Sequence, residues 1–320
     1  MAIQTTISTA APQTYLNKTY YDRKLLEIAK TKFVYANYGQ KRPIPKGNGK
    51  TAEFRRFDLF TPDVVTNKLT EGVTPNSQSI SQSKVEATVD QYGAYVEISD
   101  LLDMTSYDPL AGNIVELLGE QMGTLLDWIT RDAMLAGASD QFAGGQTDIT
   151  DITAADKLTI DEVRKAVRTL KKNKARKFSN GRREHFICIC DPDATYDLQG
   201  DTLWQDVSKY SNAEQIYSGE IGRMFGVVFV ESTEGFIDEA GGASGATVDV
   251  HHSLIFGADA YGCVDIDGSG NVQTIIKPAG SAGSADPLDQ RSTIGAKITA
   301  YTAVALNPLW IVDVQHAVSA

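Results

Sequence analysis

"YDPLAGNIVELLGEQMGTLLDWITRDAMLAGAS", Tyr107 to Ser139, is the strongest helical pattern in the chain. Asp108 suits an N-cap and Pro109 the first helical position. Leu110, Ile114, Leu117, Leu118, Met122, Leu125, Ile129 and Ala133 recur at helical spacing and predict the buried stripe. At about 1.5 Å per residue such a helix runs roughly 40 Å. Gly112, Gly119 and Gly123 each cost about 1 kcal/mol against alanine in a helix. Their presence predicts the close approach of a sheet or a neighbouring backbone.

Ahead of this helix lie two strand-like runs, "TAEFRRFDLF" (Thr51–Phe60) and "KVEATVDQYGAYVEI" (Lys84–Ile98). The polar segment Thr74–Ser83 sits between them, so together they read as a long two-stranded arm with a polar tip. In the first run Ala52 and Phe54 share a face, then Phe57 and Leu59 take the other. In the second, Val85, Ala87 and Val89 share a face, then Tyr92, Ala94, Val96 and Ile98 take over. Side chains alternate with period two, so each phase change predicts a bulge or sharp twist. An isolated hairpin is marginal in water, and the outer apolar residues of this one have no evident partner in their own chain.

The remaining pattern is mixed. Residues 16–37 read as a helix carrying Tyr21, Leu25 and Ile28, and "YGQKRPIPKGNGK" then breaks regular structure. "LTIDEVRKAVRTLKKNKARK" reads as a helix with a Thr159/Glu162 capping box and an apolar seam of Ile160, Val163, Val167 and Leu170. "HFICIC" reads as a buried strand, and Asp191-Pro192 restarts a helix. "GVVFVE" is a strand, "EAGGASGAT" a loop, and Asp265–Asn271 a hairpin turn between two strands. Ile294 to Leu306 alternate, Asn307-Pro308 turns, and "LWIVDV" returns, which predicts a closing hairpin.

The 320 residues carry a net charge of −11, which argues against general affinity for nucleic acid or membrane. The average conceals a polarised chain. Ten basic residues and no acid lie between Arg164 and Arg183, among them Lys171, Lys172, Lys174, Arg176 and Lys177, so the rest carries −21. This stretch reads either as a solvated helix face or as a surface for an acidic neighbour or packaged DNA. No apolar run reaches the ~18–20 residues of a membrane span, and the N-terminus lacks a signal-peptide pattern. Cys188, Cys190 and Cys263 do not form a disulfide framework, which fits synthesis in a reducing compartment.

Catalytic motifs fail in their context. "GNGKT" (Gly47–Thr51) has Ile44 where a phosphate loop needs glycine, and it leads into strand-like sequence. "DIDGSGN" has its glycine at the wrong position for an EF-hand, and Ile276 where the bidentate glutamate belongs. His185, His251, His252 and His316 lack ligand spacing with the cysteines, and no Gly-x-Ser-x-Gly elbow exists. The expectation is a non-enzyme with no cofactor and no metal.

The order of elements, a long arm, a spine helix, a mixed α/β middle and a closing hairpin, resembles the Hong Kong 97-type capsid fold of tailed bacteriophages. "TYYDRKLLEIAKTKFVYANYGQKRPIPKGNGKTAEFRRFDLF" and "DLQGDTLWQDVSKYSNAEQIYSGEIGRMFGVVFVES" (Asp197–Ser232) resemble the N-four-type family of phage major capsid proteins. The "GEIG-x-x-x-GV" step, Gly219–Val227, is the most specific piece. The resemblance implies an α+β fold divided into an N-terminal arm with helix (1–45), an extended loop (46–100), a peripheral domain (101–160 and 291–320) and an axial domain (161–290). It implies self-assembly into hexamers and pentamers of an icosahedral shell around double-stranded DNA, in the virion, after synthesis in the host cytoplasm. The extended loop would lie across the adjacent subunit, with Phe57, Leu59, Lys68, Glu71, Val85 and Val89 as contact residues. Portal, scaffold and decoration proteins are further expected partners, DNA contact would be non-specific, and no membrane is involved. No scaffolding segment precedes the arm, so a separate scaffold protein or none, and no N-terminal cleavage, is expected. Cross-linking is not expected, because no catalytic carboxylate can be assigned beside a pair such as Lys68 and Asn307. The rival readings are a shell around cargo enzymes and a virion decoration or tail protein.

Overall fold

The computed structural model describes residues 34–57, 60–65, 67–69, 71–74, 77–105, 110–179, 184–201, 204, 220–243, 248–281 and 286–319. The helix expected over 16–37 falls outside them except for its last four positions, where the chain bends into a 3-10 turn at Tyr35–Asn37. Leu59, Asp108, Pro109, Arg182, Arg183 and Gly219 also lie outside.

The strands are β1 (Gln40–Lys41), β2 (Thr51–Phe57), β3 (Gln82–Thr88) and β4 (Asp90–Ser99). Helices α1 (Asp100–Thr105) and α2 (Leu110–Ala136) follow, then β5 (Ser139–Phe142), α3 (Ile160–Lys172), β6 (Phe178–Ser179), β7 (Glu184–Cys190) and α4 (Pro192–Gly200). The chain continues through β8 (Glu220–Met224), β9 (Val227–Glu231), β10 (Ile237–Asp238), β11 (Val250–Phe256), β12 (Tyr261–Asp265) and β13 (Gln273–Lys277). It ends with β14 (Arg291–Ala305) and β15 (Ile311–His316).

Three sheets result. One has the order β1-β12-β14-β13 with β4 also on β14; the second has the order β5-β15-β11-β7-β9-β8, with β10 on β11 and β6 on β7; β2 and β3 pair alone. The expected arm is therefore two constructions. Its outer half is the β2–β3 pair, in register from Thr51↔Thr88 to Phe57↔Gln82. Its return strand breaks at Val89, and β4 pairs with β14 instead. The phase change between Val89 and Tyr92 marks this change of partner. In the first strand Phe57 is exposed on the face opposite Ala52 and Phe54, and Leu59, the other residue of the expected phase change, lies outside the described residues.

Helix α2 covers the five-stranded sheet through Val115, Leu118, Met122, Leu126 and Met134, which pack on Ile294, Ala296, Ile298 and Tyr301 of β14. The buried face is turned by about one residue from the expected stripe. Leu117, expected inside, is 65% exposed, while Thr130 is fully buried and its hydroxyl meets the Tyr301 hydroxyl at 2.8 Å. The helix is apolar around more than half its circumference, so periodicity alone does not choose the face. Of the three glycines expected to mark a close approach, Gly119 and Gly123 are buried, whereas Gly112 is only half-buried and has open space where a Cβ would stand.

The second core lies between α3, α4 and the eight-stranded sheet, with Val163, Val167, Leu170, Cys188, Cys190, Phe229 and Val314. The seam of α3 is as expected. The capping box is not formed: Thr159 makes no side-chain cap bond, and Glu162 turns inward to accept from Gln141 (3.0 Å) and Lys165 (2.7 Å). Asp191 caps α4 by accepting the Ala194 amide at 3.4 Å, as its position before Pro192 predicted.

Two expected hairpins are absent. β12 and β13 both pair antiparallel with β14, at Tyr301–Ala305 and Thr293–Lys297, so Asp265–Asn271 leaves the sheet between them without reversing the chain. β14 and β15 belong to different sheets, and Asn307–Trp310 carries the chain from one to the other. The sheets therefore do not follow residue boundaries at 160 and 290: β12 and β13 lie in the sheet under α2, and β15 lies beside β11.

Candidate intersubunit surfaces

The β2–β3 pair has one face toward the body. Ala52 and Phe54 pack beside Ala87 on Ile44, Val264 and Ala300. The Phe54 ring lies over Gly262, where a Cβ would stand 3.0 Å from Cζ. The outward face is banded. Glu53 stands opposite Glu86, and Arg55 opposite Lys84. Like charges directly opposite one another are unfavourable. Each is offset along its own strand, Arg55 by Glu53 at 2.5 Å and Lys84 by Glu86 at 2.7 Å. Hydrogen bonding to Lys84 lowers the Glu86 carboxyl and raises the Lys84 ammonium.

Beyond Phe57 the described parts of the loop are exposed and unusually apolar. Val64 is 90% exposed, Val65 82% and Ile80 71%, with Phe60, Leu69 and Val73 also outward. The loop's own bonds are polar, such as Gln78 to Asn67 at 3.1 Å. Of the residues implied as contacts, Phe57, Lys68 and Glu71 are exposed, Val85 is half-buried and Leu59 lies outside the described residues. Val89 is buried among Ile44, Ala87 and Val264 of its own chain, and so belongs to the subunit core.

The basic stretch divides. Arg164 pairs with Asp161, Lys165 with Glu162, Arg176 with Asp259 at 2.6 Å and Lys177 with Glu184 at 3.1 Å. Lys171, Lys172 and Lys174 stand exposed around the end of α3, where the helix dipole favours them. Asn173 joins this end to the crossing between sheets: its side chain donates to the Leu309 carbonyl at 3.0 Å, and it accepts the Trp310 indole N–H at 3.2 Å.

Histidine chemistry is present but inward. Pairing of β11 with β15 sets His251 opposite His316, a juxtaposition that residue spacing does not reveal. His251 Nδ1 lies 2.5 Å from Asp191, and His316 lies 2.9 Å from the Ser253 hydroxyl. Burial opposes charge on His251, but Asp191 prevails and holds its pKa up, while burial lowers His316 to about 4. Asp191, Asp193 and His251 are close enough to hold an ion, yet Asp191 and His251 already satisfy each other. "GNGKT" forms turns with positive φ at Gly47 and Gly49 and runs directly into β2. No helix among the described residues is long and apolar enough to cross a membrane.

A family model described as phage capsid protein matches residues 130–278. The fold matches the capsid of Ralstonia phage GP4 at 13% identity, covering 91% of each chain with a TM-score of 0.68. The cyanophage Pam1 capsid matches at 14% identity, with 89% and 94% covered and a TM-score of 0.65. A virus-like particle from Pyrococcus furiosus matches at 12%, with 93% and 99% covered and a TM-score of 0.50. No curated protein sequence matches.

Proposed function

We propose that this chain, a phage capsid protein of the Hong Kong 97-type fold, assembles into hexamers and pentamers of an icosahedral shell around double-stranded DNA. The sheet under α2 serves as the peripheral domain and the eight-stranded sheet as the axial domain. The chain performs no catalysis; it acts through surfaces.

One observation carries this reading: a loop of exposed valine, leucine and isoleucine projects past Phe57 with no apolar partner in its own chain among the described residues. Exposed apolar residues gathered in one loop in this way mark an interface. In a shell each copy covers the loop of another. Phe57, Lys68, Glu71 and Val85 then lie at that boundary, Leu59 follows by sequence position, and the lysines at the end of α3 face an acidic neighbour or the packaged DNA.

Expression of the chain followed by sedimentation and negative-stain microscopy tests the proposal. Closed particles are expected, and a persistent monomer counts against it. A shell around cargo proteins is the alternative; it would use the same surfaces, and nuclease-protected DNA in particles from infected cells separates the two. Portal, scaffold and decoration proteins would be further partners, after synthesis in the host cytoplasm.

A further inference from the structure

Where β2, which pairs only with β3, meets the body runs a cleft of about 800 Å³ that takes in residues of both faces of the strand, from Thr51 to Arg56. Ile44, Phe54, Leu306 and Trp310 give it apolar walls, and four arginines, Arg42, Arg55, Arg56 and Arg176, line it with two carboxylates, Glu53 and Asp259. Glu53 bonds Arg55 at 2.5 Å and Asp259 bonds Arg176 at 2.6 Å, so the lining keeps an excess of two positive charges. These residues come from stretches far apart in the sequence. Trp310 is bonded to Asn173, so the basic end of α3 continues the same positive rim. A matching occupant must bring both apolar side chains and negative charge.

Helix α1 has that composition. Leu101, Leu102 and Met104 are 68%, 48% and 82% exposed, and Asp100 and Asp103 lie beside them. The Asp100 amide donates to the Gln290 carbonyl at 2.9 Å, which adds exposed Leu288 and the carboxylate of Asp289 to the same corner. Cleft and corner lie at opposite ends of β4. Val89, just before β4, donates to Lys50 in the cluster that floors the arm, and Ser99 ends the strand at α1. Ten residues of strand at about 3.3 Å each place them roughly 33 Å apart. One chain cannot close this contact on itself.

We propose that the cleft of one copy receives the α1 corner of a second copy. The contact is head-to-tail, the type that generates rings when the rotation closes. Leu101 and Met104 enter between Phe54 and Trp310, and Asp100 and Asp103 meet the arginines on the rim. Phosphates of nucleic acid fit less well, because Glu53 and Asp259 stand in the cleft and its walls are apolar. This inference rests on the shell reading above.

Charge reversal tests it. Asp100→Lys with Asp103→Lys, and separately Arg42→Glu with Arg176→Glu, should each lower the assembled fraction at least roughly tenfold, while subunit melting shifts by no more than loss of the exposed Arg176–Asp259 pair explains. Equimolar mixing fails to repair a ring, so the four changes are combined in one chain, where assembly should return to within about threefold of the original. Unimpaired assembly of either double variant, or no recovery in the quadruple one, overturns the proposal. So does normal assembly by the arginine variant with lost retention of duplex DNA, which would reassign the cleft to nucleic acid. A second measurement does not require shells. Met104→Cys with Val85→Cys should give disulfide-linked ladders under mild oxidation, and absence of ladders overturns the contact. If the unaltered chain forms no particles but the ladders appear, the shell reading fails and the contact stands.

Discussion

The carboxylate of Asp127, midway along the spine helix α2, accepts the Val34 amide at 2.8 Å across 93 residues of sequence. Tyr35 and Ala36 amides also point to it, so one fully buried carboxylate fixes the start of the described chain to the spine. Burial outweighs these bonds and pushes Asp127 up to about 6 from an ordinary 3.8. The folded chain then binds a proton more tightly than the unfolded chain between those values. Stability from this group is full below pH 3.8 and declines as pH rises through 6, by up to about 3 kcal/mol. Asp127→Asn should flatten that slope in melts between pH 4 and 7. Asp127→Ala should cost about 1–3 kcal/mol at every pH by leaving buried amides unpaired.

His316 predicts the opposite slope. It is fully buried, and its pKa falls to about 4 from 6.5. An unfolded histidine takes up a proton first, so stability is full above pH 6.5 and is lost as pH falls toward 4, by roughly 3 kcal/mol. Protonation would also set a second cation beside His251, whose ring stacks on it at 6.2 Å. The His251–Asp191 pair adds to the acid limb, because the carboxylate's pKa is lowered and its contribution disappears when it protonates. His316→Gln should weaken the acid limb at constant Asp191, as read by melting at pH 4.5 against pH 7.5. An unchanged ratio of stabilities would remove His316 from the account.

These two sites show what sequence could and could not reveal. Local patterns named β7, the seam of α3 and the Asp191 cap, because those depend on residues within one or two turns of each other. They also located the break near Val89, where side-chain phase changes. Partner choice was not local. The alternation of β14 and the Asn307-Pro308 turn suggested a hairpin, yet β15 crosses to the other sheet. The same crossing brings His316 opposite His251, and no residue spacing encodes that meeting. Leu117 was misplaced because α2 has more apolar residues than one face can bury. The α1–cleft complementarity was invisible because its two halves become surfaces only after the sheets form.

The lysines at the end of α3 give a third prediction. Changing Lys171, Lys172 and Lys174 to Gln should lower subunit stability by no more than about 1–2 kcal/mol, the share that exposed charges at a helix C-terminus contribute through the dipole. Assembly should weaken and lose part of its salt dependence, because several screened pairs must act together. Keeping Lys177 avoids disturbing its bond to Glu184. Equal assembly at 50 mM and 500 mM salt for both chains, where the Debye length is about 14 Å and about 4 Å, would return these residues to the role of a solvated face.

The arm gives the last prediction. Phe57 stands directly opposite Gln82, so a four-residue Gly-Ser turn in place of residues 58–81 can close the β2–β3 pair without moving either strand. Phe54 and Ala87 keep their packing on Ile44 and Val264, and the subunit should melt as before. What is removed is exposed: Val64, Val65, Leu69, Val73 and Ile80 contribute little to a lone chain. In the proposed shell they are covered by a neighbour. At about 25 cal/mol per Å², covering even ~200 Å² stabilises each boundary by roughly 5 kcal/mol before the cost of ordering the loop. A shell repeats that deficit at every boundary, so closure should fail while folding survives. Circular dichroism melting and electron microscopy of the same preparation read the two effects separately. Intact particles from the shortened chain would show that the loop is not a clasp, and a large drop in melting temperature would place it in the subunit's own core.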